Sequence, residues 1–146
     1  MCRGLRSEFS RRGLWVRPFL LSLYPHAQVI LHDVYHEDHG RQVRSWRNLH
    51  RAAVKRAVFP TGEPNCLLTC GEDGLICRAD PREDRGRRIC KVLTQEAEAA
   101  SLHCLSIPEA KPWMLAVASG CGTVFVLDRR MIPPRVHYEL NRSILP

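Results

Sequence analysis

The chain has 146 residues, enough for one domain with a tail, and 45% of them are hydrophobic, which excludes disorder over most of its length. Lys and Arg number 22 against 15 Asp and Glu, and the formal net charge of +7 lies wholly in residues 1–60. An apolar stretch, Leu14–Tyr24, is interrupted by Arg17 and Pro18. It is shorter than the roughly 20 residues that cross a bilayer, so no membrane association is expected.

Residues 1–26 show no period and are predicted to form an irregular basic leader, followed by one domain over residues 27–146. The basic excess favours a solubilising tail; contact with RNA, an acidic partner or an anionic surface is the alternative. Nucleic acid is not the expected partner, because no RNA motif with interleaved aromatic residues accompanies the arginines. A targeting peptide is disfavoured, since no small-x-small cleavage site follows the apolar stretch.

From residue 27 to residue 140, short apolar runs alternate with turn residues, which predicts strands and turns with no long helix. The predicted strands are Gln28–Val34, Arg41–Trp46, Ala53–Phe59, Cys66–Cys70, Leu75–Ala79, Arg87–Leu93, Leu102–Ile107, Trp113–Ser119, Thr123–Asp128 and Arg135–Leu140. The segment Thr94–Ala100 has helix-forming composition but is too short to stand alone, so it is predicted to be a connection.

One pattern returns three times along the chain, as "VILHD", "GLICRAD" and "GTVFVLD". The closing aspartates are Asp33, Asp80 and Asp128, so the pattern recurs at a nearly constant interval, and Gly74 and Gly122 hold the same position before the last two. A period of roughly 40–50 residues is typical of a β-propeller with four-stranded blades. The predicted fold is all-β: a partial propeller with two full blades and the end of a third.

The chain resembles the WD-repeat family over residues 27–140, and the segments "CGEDGLICRADPREDR" and "SGCGTVFVLDRRM" look like those of cullin-4-associated factors. The resemblance implies an Asp-x-Arg box after the third strand of two successive blades. The matching residues are Asp80 with Arg82 and Asp128 with Arg130. In that class the arginines contact the ligase adaptor, a damage-specific DNA-binding protein.

The chain departs from the family pattern before each aspartate, where Ala79, Leu127 and His32 replace the usual tryptophan. WD repeats link that tryptophan to a His, a Ser/Thr and an Asp. The resemblance assigns the last three roles in the central repeat to His50, Thr69 and Asp73, whereas Cys121 takes the place of the aspartate in the next repeat. The first repeat lacks the box, because no arginine follows Asp33 at the matching position.

Seven cysteines are present, an odd number, and no two form a CxxC pair. Free cysteines on strands behave as small hydrophobic residues, which favours a reducing compartment, the nucleus or the cytoplasm. Two clusters resemble metal ligands in residue type only: the histidines at positions 32, 36 and 39, and the cysteines at 66, 70 and 77. Neither has the spacing of a zinc site, so no metal is expected, and no cofactor motif is present.

The sequence contains no nucleophile elbow, phosphate-binding loop or paired-carboxylate motif, so a non-enzymatic role is expected. The family resemblance implies a substrate receptor of a cullin-4 ubiquitin ligase, with Arg82 and Arg130 binding the adaptor and the remaining surface presenting a protein substrate. Two alternatives stay open: a WD-repeat scaffold without ligase contact, in which each box is a plain loop salt bridge, and a truncated isoform without the parent's function.

Overall fold

A computed structural model describes residues 19–24, 27–33, 41–63, 65–94, 98–131 and 136–140. Eleven β-strands lie in this part of the chain, which contains no helix. They are β1 (Phe19–Tyr24), β2 (Gln28–Asp33), β3 (Arg41–Trp46), β4 (Val54–Val58), β5 (Leu67–Gly71), β6 (Leu75–Ala79), β7 (Arg87–Lys91), β8 (Leu102–Ser106), β9 (Met114–Ser119), β10 (Val124–Asp128) and β11 (Val136–Leu140).

The strands form three separate antiparallel sheets, each a simple meander. The first blade has three strands in the order β1-β2-β3, the central blade has β4 to β7, and the third blade has β8 to β11. The first strands of the central and third blades, β4 and β8, contact each other. The predicted all-β fold, with two full blades and the end of a third, is confirmed.

The structure differs from the sequence-based expectation within the leader, because its last part forms strand β1. Phe19 pairs with Asp33 and Tyr24 pairs with Gln28 in a regular antiparallel register. The strand exists through this pairing with β2, which no local pattern reveals. Residues 1–18 lie outside the described residues.

Alternation along the strands shows how the blades pack. All five residues of β5 are buried, whereas β9 alternates between half-buried and buried positions. A strand buried on both sides has a neighbouring sheet on each face, and an alternating strand has one. The central blade is therefore covered on both faces, and the third blade is covered on the face that it turns to the central blade.

Two apolar cores fill the spaces between blades. The first core joins the first and central blades and includes Val29, Leu31 and Trp46 against Leu67 and Ala79. The second core joins the central and third blades. Its largest members are Leu68, Ile76, Leu102, Leu105, Leu115, Val117, Phe125 and Leu127. Since burial of apolar surface is the main favourable term in folding, each blade is stabilised chiefly by its neighbour.

The turn before the third strand is the same in the central and third blades. Gly74 and Gly122 have φ angles of 74° and 88°, a region that suits glycine because it lacks a Cβ. Cys70 pairs with Ile76, and the equivalent residues of the next repeat, Ala118 and Val124, pair in the same way. The predicted equivalence of the two glycines is confirmed without a shift in register.

Candidate functional site

The first box, Asp80-Pro81-Arg82, follows strand β6, and its aspartate and arginine form a bidentate pair. Arg82 donates from Nε to Asp80 Oδ1 at 3.0 Å and from Nη2 to Oδ2 at 2.7 Å, and its backbone N–H donates to Oδ1 at 2.9 Å. The Asp80 side chain is 2% exposed, and that of Arg82 is 70% exposed. The Arg82 hydrogen bonds lower the pKa of Asp80 to about 2. The carboxylate thus stays ionised and orients a guanidinium that faces solvent.

The second box, Asp128-Arg129-Arg130, follows strand β10 with the same arrangement. Arg130 donates from its backbone N–H and from Nε to Asp128 Oδ1, both at 2.9 Å, and from Nη2 to Oδ2. The Asp128 side chain is 7% exposed, and that of Arg130 is 63% exposed. The hydrogen bonds from each arginine to its aspartate raise the pKa of Arg82 and of Arg130. Both guanidinium groups are therefore permanently charged.

The two boxes occupy equivalent points, at the end of the third strand of successive blades. Equivalent strand ends lie on one face of a propeller, so both arginines belong to a single surface, here called the box face. The box face comprises the described residues 59–63, 65–66, 80–86, 107–113 and 128–131, which belong to the connections between the first and second and between the third and fourth strands of the two blades. Neither arginine Nη1 has a partner among the described residues, so each arginine keeps donors for a bound molecule.

The middle residue of each box is held by the preceding blade. In the first box, the Pro81 carbonyl accepts a hydrogen bond of 3.0 Å from Arg44 Nε in strand β3, and Arg44 Nη1 also donates to Asp84 at 2.9 Å. In the second box, Arg129 forms an ion pair with Glu63 of the central blade, and the Arg129 side chain is only 16% exposed. Packing between blades thus fixes the position of both boxes.

Next to the second box lies an open groove of about 290 Å³ between the central and third blades. Its lining residues are Glu63, Leu68, Ile89, Trp113, Arg129 and Arg130. The Arg130 guanidinium lies over the Trp113 ring, 5.0 Å from its centroid, which is a cation–π distance. Sequence reasoning placed Trp113 at the start of a strand and missed its contact with the box. The sequence feature that could have indicated this contact is a difference between the repeats: the position that holds Asn65 in the central repeat holds Trp113 in the next one.

The opposite face carries the histidine network that the resemblance assigned to the central blade. His50 Nδ1 lies 3.0 Å from Asp73 Oδ1, and His50 Nε2 lies 2.8 Å from Thr69 Oγ1. Burial favours a raised pKa for Asp73, but hydrogen bonds from His50 and from the backbone N–H groups of Arg51 and Leu75 lower it. The network ties the connection between the first and central blades to the β5–β6 turn.

The tryptophan that usually completes this network is replaced by buried Ala79, and the adjoining space belongs to the first core. Trp46 of β3 and Leu49 both pack in that core beside Ala79. In the third blade, Cys121 replaces the aspartate. Hydrogen bonds with Ser119 and Thr123 lower the pKa of the Cys121 thiol, which is exposed.

The remaining cysteines only partly follow the expected burial on strands. Cys66, Cys70 and Cys77 are buried and Cys90 is half-buried, whereas Cys104 joins Cys121 at the surface. Cys104 lies on strand β8, so its exposure differs from the expectation of a small buried residue; the bulge at this point of β8 keeps it off the packed face. Among the described residues, no three His, Cys, Asp or Glu side chains are grouped as metal ligands; His36 and His39 lie outside them. No helix in this part of the chain is long and apolar enough to span a membrane.

Comparison with known proteins identifies the fold. The chain is similar to part of a chain in the crystal structure of a mitotic checkpoint complex, with a TM-score of 0.65 and 15% sequence identity. The match covers 88% of this chain and 38% of that chain. No family model and no curated protein matches the sequence. With its three blades of three or four strands, the described part of this chain has the fold of a partial β-propeller, and the chain spans well under half the length of the matched chain.

Proposed function

We propose that this chain is a non-enzymatic protein-interaction module that binds the cullin-4 ligase adaptor through Arg82 and Arg130 and presents a protein substrate. One observation carries the proposal: two Asp–Arg pairs of the same geometry stand at equivalent positions of successive blades. In each pair a buried carboxylate orients an exposed guanidinium. Two planar donor groups held at a fixed spacing suit recognition of carbonyl or carboxylate oxygens on a protein surface.

The fold supports a role in protein binding, since propellers use their loop surfaces for recognition, and the matched solved structure is itself a protein complex. A plain structural role for the two pairs accounts for less of what is seen. A loop salt bridge gains nothing from exposing its arginine, and exposed ion pairs contribute only about 0–1 kcal/mol. The arrangement instead keeps both Nη1 groups available on one surface.

The test is co-precipitation of purified adaptor with the wild-type chain and with the double variant Arg82→Ala/Arg130→Ala. The double variant is expected to lose the adaptor while its strand content by circular dichroism stays unchanged, because both arginines lie in loops beyond the strands. Its stability is expected to fall, since two buried carboxylates lose the side-chain hydrogen bonds of their arginines. Arg51→Ala is the matched control: it removes one exposed arginine from the opposite face and is expected to retain binding. Adaptor binding that survives the double change would leave the scaffold role in its place.

A further inference from the structure

The two boxes have the same internal geometry but different surroundings. Arg130 lies on the Trp113 ring and borders the groove, whereas Arg82 stands beside no equivalent tryptophan, because Asn65 occupies the matching position of the central repeat and is exposed. Trp and Arg are the residues most enriched among side chains that dominate binding at interfaces. A groove beside such a pair offers a place where a partner's side chain loses its contact with water.

The groove combines apolar walls with balanced charge. Ile89 and Trp113 supply apolar surface above the buried Leu68, and the two arginines are matched by Glu63 and Asp128. A charged side chain entering this space would have to shed its hydration without an unpaired opposite charge to receive it, which is unfavourable. The volume of about 290 Å³ is at the lower limit of small-molecule sites, which typically reach about 300–1,000 Å³. Size and charge therefore both fit one uncharged side chain of a protein.

We infer that the groove receives an apolar side chain of the bound protein, and that Arg130 Nη1 donates to a backbone carbonyl next to that side chain. This inference rests on the proposed function and deepens it. It makes the second box the dominant contact and Trp113 a specificity-determining residue. The first box then adds a lesser contact, because among the described residues the ring contact with Trp113 and the lining of this groove belong to Arg130 and not to Arg82.

The experiment measures adaptor affinity by titration for the wild type, Arg82→Ala, Arg130→Ala, Trp113→Ala and Trp113→Phe. Truncation of a dominant interface residue typically weakens binding about thirtyfold or more, which is the loss expected for Arg130→Ala and Trp113→Ala. Arg82→Ala is expected to lose about fivefold, and Trp113→Phe about threefold, since phenylalanine keeps an aromatic wall. Asn65→Ala is the matched control at the equivalent position and is expected to bind like the wild type.

A second measurement reports on the groove in the wild-type chain, so that it does not depend on a substitution that lowers stability. The wild-type chain labelled with 5-fluorotryptophan is expected to show a shift of the Trp113 fluorine resonance when adaptor is added, with Trp46 unaffected because it is buried in the first core. The affinity ratio of wild type to Trp113→Ala is also measured at low salt and at about 0.5 M salt. An uncharged occupant keeps this ratio constant, whereas an acidic one lowers it as salt screens the attraction.

The outcomes separate the two claims. A wild-type chain that does not bind the adaptor overturns the proposed function, and the inference falls with it. Binding with equal losses for Arg82→Ala and Arg130→Ala, or with a Trp113 resonance that does not move, overturns the inference alone. An affinity ratio that falls at high salt indicates an acidic occupant instead of an apolar one, and this result also overturns the inference.

Discussion

Arg82 encloses the Asp80 carboxylate with its Nε and Nη2 atoms, at 3.0 and 2.7 Å, so that the buried member of the pair is the anion and the exposed member is the cation. A buried carboxylate loses the hydration that it has in water. Three hydrogen bonds from Arg82 offset this loss for Asp80. The arrangement gives the pair a measurable dependence on pH.

The first prediction concerns acid stability. The folded-state pKa of Asp80 is about 2, below its ordinary value of 3.8, so the carboxylate stabilises the fold fully above about pH 5 and loses this effect as pH falls towards 2. Asp80→Asn is therefore expected to be less stable than the wild type at pH 6, with the gap narrowing by pH 2. Urea unfolding at a series of pH values measures this. Glu109→Gln, in an exposed loop, is the control, and a gap that stays constant with pH would contradict the prediction.

The second prediction concerns the histidine network. His50→Ala removes the partner of both Thr69 and Asp73 in a site where His50 and Thr69 are buried. Loss of a partner from a buried polar group costs about 1–3 kcal/mol, and a decrease of this size in the free energy of unfolding is expected. His103→Ala changes an exposed histidine and should alter stability by less than about 0.5 kcal/mol. Equal effects of the two variants in urea unfolding would show that the network is not stabilising.

The third prediction compares two glycines with positive φ. Gly62 (φ 83°) has open space where a Cβ would lie, whereas a Cβ on Gly74 (φ 74°) would meet the Val92 carbonyl oxygen at 3.0 Å and the Ala100 backbone at 3.2 Å. Gly62→Ala is expected to cost about 1–2 kcal/mol from the left-handed backbone alone. Gly74→Ala adds the steric contact and is expected to cost more. Thermal unfolding of both variants measures the two losses of stability. A larger loss in Gly62→Ala than in Gly74→Ala would contradict the prediction.

The fourth prediction concerns thiol reactivity. Cys104 and Cys121 are exposed, whereas burial raises the pKa of Cys70 and of Cys77 to about 12. Because the thiolate is the reactive form, maleimide at neutral pH is expected to modify the first two in the folded chain and to spare the second two. Peptide mapping by mass spectrometry identifies which cysteines are modified and how fast. Addition of urea is the control and should make all four reactive; labelling of Cys70 without urea would contradict the predicted burial.

The sequence predicted most strands closely, because turn glycines such as Gly74 and Gly122 and the aspartates that follow them mark each repeat locally. It did not predict β1, whose evident cause is pairing with β2 across the sheet rather than its own pattern. The two Asp-x-Arg segments stand out in the sequence repeat itself, and their binding role is what the family resemblance implies. Their attachments were not predicted, because Arg44 and Glu63 reach residues 37 and 66 positions away through blade packing. A repeated sequence motif predicts the structure that all units share, whereas the contacts between units depend on how the blades stack.

Those attachments have a consequence for when the arginines can be recognised. Since Pro81 is held by the first blade and Arg129 by the central blade, each Asp-x-Arg segment is positioned by the neighbouring blade as well as by its own sheet. A nascent or partly unfolded chain would contain both short segments and yet lack their spacing and orientation. A partner that requires both arginines in this geometry would therefore select chains whose blades have already assembled.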